Sequence, residues 1–83
     1  NILSKKQQLI SSNFANKNPD WKNIEYDLLK NGNPIIKNCV SNLDCKIIDK
    51  IKKGDHIIFI CKVLNVVNND KLKPLIYYNS KYF

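Results

Sequence analysis

Met and Arg are absent from the 83 residues, Glu and His occur once each, and Gly occurs only twice. Without Met, Asn1 is no initiator, so the chain reads as processed or as a piece of something longer. Without Arg there is no guanidinium fork for bidentate reading of guanine or phosphate. The formal charge of +7 rests on fourteen Lys spread from Lys5 to Lys81, with Lys5-Lys6 and Lys52-Lys53 the only adjacent pairs. Thirteen Asn and twelve Ile accompany them, the imprint of an adenine- and thymine-rich genome rather than of a basic binding face. The lysines are therefore read as a solvated surface, and nucleic acid is not expected as a partner. One Glu leaves paired-carboxylate catalysis to scattered Asp, and there is neither a Gly-rich phosphate loop nor a supported Ser-His-Asp order. The longest apolar run, Ile57 to Cys61, is far below the roughly 18 residues that span a bilayer, and no signal-like leader opens the chain. A soluble cytoplasmic protein without membrane contact is expected. Cys39, Cys45 and Cys61 leave an odd thiol and lack the close paired spacing of a zinc site, so they are read as buried free thiols and no metal is expected.

What is present describes one small domain. Hydrophobic residues make up 43% and charged residues 25%, the proportions of an ordinary globular chain. A chain this short buries only about 60 to 65% of its unfolded surface, so its core is modest. Ser4-Lys5-Lys6-Gln7 has the form of a capping box, and Leu3, Gln7, Ile10 and Phe14 follow at helical spacing; one amphipathic helix over 4–15 is predicted. A strand is predicted near 25–29, then a turn at Asn31-Gly32-Asn33-Pro34. From Ser41 to Ile51 apolar and polar residues alternate, a half-buried strand whose period is broken only at Ile48 and Asp49. Lys52-Lys53-Gly54 is read as a three-residue loop. Asp55 to Val66 is apolar on both faces, which predicts a central strand covered on both sides. Asn68-Asn69-Asp70 turns the chain, and Pro74 to Tyr78 is the last strand.

The order of these features is more specific than any one of them. Asn1-Ile2-Leu3 precedes a helix that carries Gln7 and ends in Phe14-Ala15; then come Gly32-Asn33-Pro34, Leu43-Asp44-Cys45, Gly54-Asp55-His56 opening an apolar strand, Pro74-Leu75-Ile76-Tyr77-Tyr78, and Tyr82. This series resembles the flavin reductase-like domain family. The resemblance runs from Asn1 to Tyr82 and corresponds to the later half of the family's domain. It implies a mainly β fold with one short helix (α+β), an antiparallel split β-barrel that is incomplete in these residues. Residues 1–83 are then the C-terminal part of such a domain.

The resemblance also implies an activity: an NAD(P)H-dependent flavin reductase that binds FMN, or FAD in its place, oxidises NADH or NADPH and supplies reduced flavin to a partner monooxygenase, as a homodimer. Hydride transfer between two cofactors needs no protein nucleophile, which suits a chain without a catalytic constellation. No catalytic residue is assigned, and the fragment alone is expected to be inactive. For cofactor binding the resemblance points to Asp55 and His56. Read from the residues alone, His56 is rather a polar strand end that meets solvent, and only the resemblance turns it toward the cofactor, while Asp55 is expected to accept hydrogen bonds from loop amides. Phe14 could edge the flavin or belong to the core, and Tyr82 could reach the cofactor with its phenol or lie on the surface. Cys61 stands where the family usually has Gly, and with the absent earlier half it favours a second reading, a non-catalytic flavin-binding module. A basic nucleic-acid-binding β domain is the third. Finally, a three-residue loop at 52–54 would set Cys45 opposite Cys61 as buried neighbours.

Overall fold

The Gln7 side chain ties down the start of the fold. Its Oε1 accepts the Ser4 backbone N–H at 2.9 Å and its Nε2 donates to the Lys37 carbonyl at 2.7 Å. In the computed structural model, which describes residues 1–83, helix α1 (Gln8–Phe14) follows. It starts later than the predicted Ser4, and the reason is a competing strand-like pairing. Ser4 bridges Pro74, and the Lys5 N–H donates to the Lys73 carbonyl at 2.8 Å, which holds this backbone extended. Only after a turn closed by Gln7 N–H to Ser4 O can the helix begin. Half of the expected capping box therefore forms: the Gln7 amide reaches back, but the Ser4 hydroxyl caps nothing.

Strands β1 (Tyr26–Leu28) and β2 (Pro34–Ile36) form an antiparallel hairpin around the Asn-Gly-Asn turn, with Tyr26 opposite Ile36. β1 agrees with the predicted strand; β2 is an addition, begun by Pro34 where a missing N–H is tolerated. Gly32, at φ +87°, supplies the left-handed residue of this turn. Ile24, Ile36 and Cys39 make the buried core, against which Leu3 and Ile10 pack. The helical periodicity thus does turn one face of α1 inward.

Strands β3 (Ser41–Lys53) and β4 (His56–Asn68) form the longest antiparallel ladder. Lys53 pairs with His56, so the connection is the two-residue turn Gly54–Asp55, with Gly54 at φ +60°, not the predicted three-residue loop. A glycine at positive φ in the first position is the signature of a tight hairpin turn whose twist matches its strands. The register shifts between Ile47 and Asp49, leaving Ile48 as an extra residue on β3. This bulge coincides with the break in alternation at Ile48-Asp49. A second shift, between Asp44 and Cys45, leaves Leu64 extra on β4. Cys45 consequently faces Val63 while Ile47 faces Cys61, and the expected Cys45–Cys61 pairing does not occur. Cys39 is the buried thiol, Cys45 is half-buried and Cys61 is exposed, which corrects the expectation of three buried thiols.

The prediction of a strand covered on both sides is also corrected, since every residue of β4 is exposed. Nothing in these 83 residues packs on the hairpin beyond Cys45, so Ile57, Ile58, Phe59, Ile60, Val63 and Leu64 face solvent from both surfaces. The last predicted strand is shorter than expected: β5 (Tyr77–Tyr78) pairs with β6 (Lys81–Tyr82) around Asn79 and Ser80, both at positive φ. The fold is thus mostly β with one short helix, in three two-stranded antiparallel sheets that do not close. No helix is long and apolar enough to cross a membrane.

Candidate functional site

A cavity of about 580 Å³ opens beside α1, lined among others by Leu3, Ile10, Ser11, Phe14, Trp21 and Ile36. Two of its lining residues, Phe14 and Trp21, begin an aromatic chain. The Phe14 and Trp21 rings meet edge to face at 5.3 Å, and Trp21 meets Tyr26 in the same way at 5.0 Å. Phe14 can sit there because α1 ends on it, and because Asn13 grips the returning chain at Asp20 through both atoms of its amide. The Ser11 hydroxyl lies 2.9 Å from the Tyr82 phenol, which brings the chain end against the helix. Tyr82 is held in turn by its ring contact with Tyr77 at 5.0 Å. Phe14 and Tyr82, proposed separately from the sequence, therefore belong to one neighbourhood, joined through Ser11.

Asp55 and His56 lie elsewhere, at the tip of the β3–β4 hairpin. The Asp55 carboxylate accepts from His56 Nδ1 at 2.7 Å, with the two side chains 94% and 81% exposed. The expected acceptance from loop amides is replaced by this imidazole contact. A carboxylate on Nδ1 places the proton there and leaves Nε2 facing outward. No hydrogen bond or ring contact joins this pair to Phe14 or Tyr82, so the four residues form two pairs.

Asp44 forms a third polar centre. Its carboxylate accepts from Asn33 at 2.7 Å and from Asn31 and Asn65 at 2.9 Å each, linking the β1–β2 turn to both strands of the long hairpin. These amide donors, Asn33 first, hold its pKa below the ordinary carboxylate value. Nearby, burial pushes the Cys39 thiol up, so it remains protonated as a core group. Trp21, Ser11 and Asp44 were not assigned roles from the sequence. An Asn-rich turn opposite an unpaired strand Asp was the available signal for Asp44; the Ser11–Tyr82 contact spans 71 positions and has no local signal.

Comparison with known proteins is decisive at this point. A family model, the flavin reductase like domain, matches residues 1–83. The chain belongs to the flavin reductase-like domain family. It is 32% identical over 85 residues to the flavin-dependent monooxygenase reductase subunit HsaB of Mycobacterium tuberculosis, covering 99% of this chain and 46% of that protein. It is 29% identical to the FMN reductase (NADH) RutF of Serratia proteamaculans, covering 99% of this chain and 49% of the relative. Among solved structures, nitrilotriacetate monooxygenase component B from Mycobacterium thermoresistibile superposes with a TM-score of 0.87 at 32% identity, over all of this chain and 48% of that one. The chain spans about half the length of the relatives it matches. The mainly β fold of this family member agrees with the expectation drawn from the ordered motifs.

Proposed function

We propose that residues 1–83 are the C-terminal part of a flavin reductase domain, and that the complete protein oxidises NADH or NADPH to supply reduced flavin to a partner monooxygenase. The observation that carries this reading is the family match over the whole chain, together with relatives named as an NADH-dependent FMN reductase and a monooxygenase reductase subunit. FMN is the flavin assigned, with FAD the alternative. The cavity beside α1 suits such a group: its volume falls in the range of ligand pockets, and its mainly apolar lining includes Phe14, Trp21 and the Ser11 hydroxyl. Bound there, the flavin would supply hydride acceptance. The residues of this chain bind and orient. Phe14 offers an apolar edge to the ring, Ser11 and Tyr82 fix each other's hydroxyls at the cavity margin, and the His56 imidazole, oriented by Asp55, presents Nε2 to a nucleotide.

Because the cavity and the hairpin tip are separate, a single site needs further structure to join them. A homodimer in the cytoplasm, with the rest of the domain restored, is the assembly this reading assigns. The apolar surface of the hairpin supports it, since monomers seldom leave so large a contiguous patch in water. The test is direct. The full-length protein is purified, its bound chromophore identified, and NADH and NADPH oxidation followed with FMN or FAD. Turnover with flavin is expected. Flavin binding without turnover would replace this reading with that of a non-catalytic flavin-binding module, which Cys61 on exposed β4 favours; neither binding nor turnover would remove both.

A further inference from the structure

The chain has a single Asn-Gly dipeptide, Asn31-Gly32, in the turn between β1 and β2. Asparagine amides are thermolabile, and one followed by glycine is the most open to attack by the next backbone nitrogen, because no Cβ stands in the way. Gly32 holds φ +87° with no atom within 4 Å of the place a Cβ would take, and both residues are exposed, so water has access to the turn. Three hydrogen bonds restrain the reacting groups. Asn31 Oδ1 accepts the Asn33 backbone N–H at 3.0 Å, Asn31 Nδ2 donates to Asp44 Oδ2 at 2.9 Å, and Gly32 N–H donates to the Leu29 carbonyl at 2.9 Å.

Of these, the Asp44 contact reaches furthest into the fold. With Asn33 Nδ2 at 2.7 Å and Asn65 Nδ2 at 2.9 Å it fills the Asp44 carboxylate with amide donors and ties the β1–β2 turn to β3 and β4. A carboxylate in place of the Asn31 amide keeps an oxygen for the Asn33 N–H but turns the Nδ2 donor into an acceptor. Two carboxylates at hydrogen-bond distance repel, so the bond that joins turn and hairpin becomes a force that parts them. An isoaspartyl link would also lengthen the backbone of the turn and move Asn33 away from Asp44. Asn79-Ser80 provides a reference within the same molecule: its residues have positive φ in the β5–β6 turn, the following residue is small, and Asn79 is not among the Asp44 donors.

We propose that Asn31-Gly32 is a deamidation site held in check by Asp44, and that its conversion releases the β1–β2 turn from the long hairpin. In the reaction the Gly32 nitrogen gives its proton to water and bonds to Asn31 Cγ, the Cγ–Nδ2 bond breaks, and ammonia leaves with a proton taken from water. Water then opens the cyclic imide at either carbonyl to aspartate or isoaspartate, and nothing is oxidised or reduced. The proposal does not depend on the flavin reductase reading, because its readouts are peptide mass and melting temperature. Full-length wild type and D44A are incubated at neutral pH and digested, and mass spectrometry follows amide loss at Asn31 and Asn79. D44A should lose the Asn31 amide about tenfold faster than wild type, through freer local opening, with Asn79 changed less than about twofold. Absence of amide loss at Asn31 in both proteins, equal rates in the two, or an equal acceleration at Asn79 would overturn the site or its control by Asp44. The product is also made directly. N31D should melt on the order of 5 °C below wild type at neutral pH, and the deficit should shrink below about pH 4 as the facing carboxylates take up protons. N31D/D44N should melt no lower than D44N, since the repulsion is then gone. N31D melting together with wild type at neutral pH would overturn the release of the turn.

Discussion

The two halves of this chain fold under opposite conditions. All eight buried residues lie between Ser4 and Asp44, whereas β4 and the outer part of β3 contain none. Yet the hairpin is the more apolar of the two, and its apolar residues are the more regularly spaced. In the first region modest apolar residues such as Ile24 and Ile36 are buried because polar side chains, Gln7 and Asp44 above all, fix the turns around them. The hairpin has its backbone ladder complete but no second layer. Hydrogen bonding alone forms a sheet; burial requires something for the sheet to rest on.

The difference can be probed most strongly through the cysteines. In residues 1–83 the exposed Cys61 should react with a thiol reagent on the order of a thousandfold faster than the buried Cys39, which reacts only through local opening. In the complete protein the Cys61 rate should fall toward that of Cys39, and an unchanged rate would show that the hairpin stays uncovered. Next in size is a core truncation. Ile36→Ala, at a site 3% exposed, should cost about 2 to 5 kcal/mol in denaturant unfolding. Ile58→Ala, on the exposed hairpin, should cost less than about 0.5 kcal/mol in residues 1–83 and several times more in the complete protein.

The Asp44 hub predicts a smaller and pH-dependent effect. Its pKa is lowered in the folded chain, so its contribution is present above the unfolded carboxylate value near 4 and is lost as pH falls through the lower folded value. Asp44→Asn should lower the melting temperature by about 10 °C at neutral pH and flatten its decline below about pH 4. A parallel acid decline in wild type and variant would assign the effect to other carboxylates. The turn makes a modest local contribution: Gly54→Ala meets no atom within 4 Å, so only its φ of +60° is strained, and a loss of about 1 kcal/mol is expected in equilibrium unfolding.

Much of this was legible locally. The short helix follows from the spacing of Leu3, Ile10 and Phe14, and the hairpin from two runs around Lys-Lys-Gly-Asp. The broken alternation at Ile48-Asp49 already contained the bulge, although the one-residue error in the turn prevented its use. A register depends on turn length, and each residue of error moves a strand's partners. For the candidate site, Phe14 and Tyr82 are residue types that suit a flavin, but their common neighbourhood arises from a contact between the helix and the chain end. Asp55 and His56 were adjacent in sequence and remain a pair.

The sequence by itself determined the local order of elements, the apolar character of the long hairpin and membership in the flavin reductase-like family, because these depend on periodicity, turn chemistry and motif order. Tertiary structure alone decided where the helix starts and which apolar face is buried. Those outcomes depend on segments distant along the chain. Ser4 reads as a cap until Pro74 pairs with it, and Phe59 reads as core although no part of residues 1–83 packs over it. Periodicity states that a surface is suited to burial, and only a neighbouring layer can remove that surface from solvent.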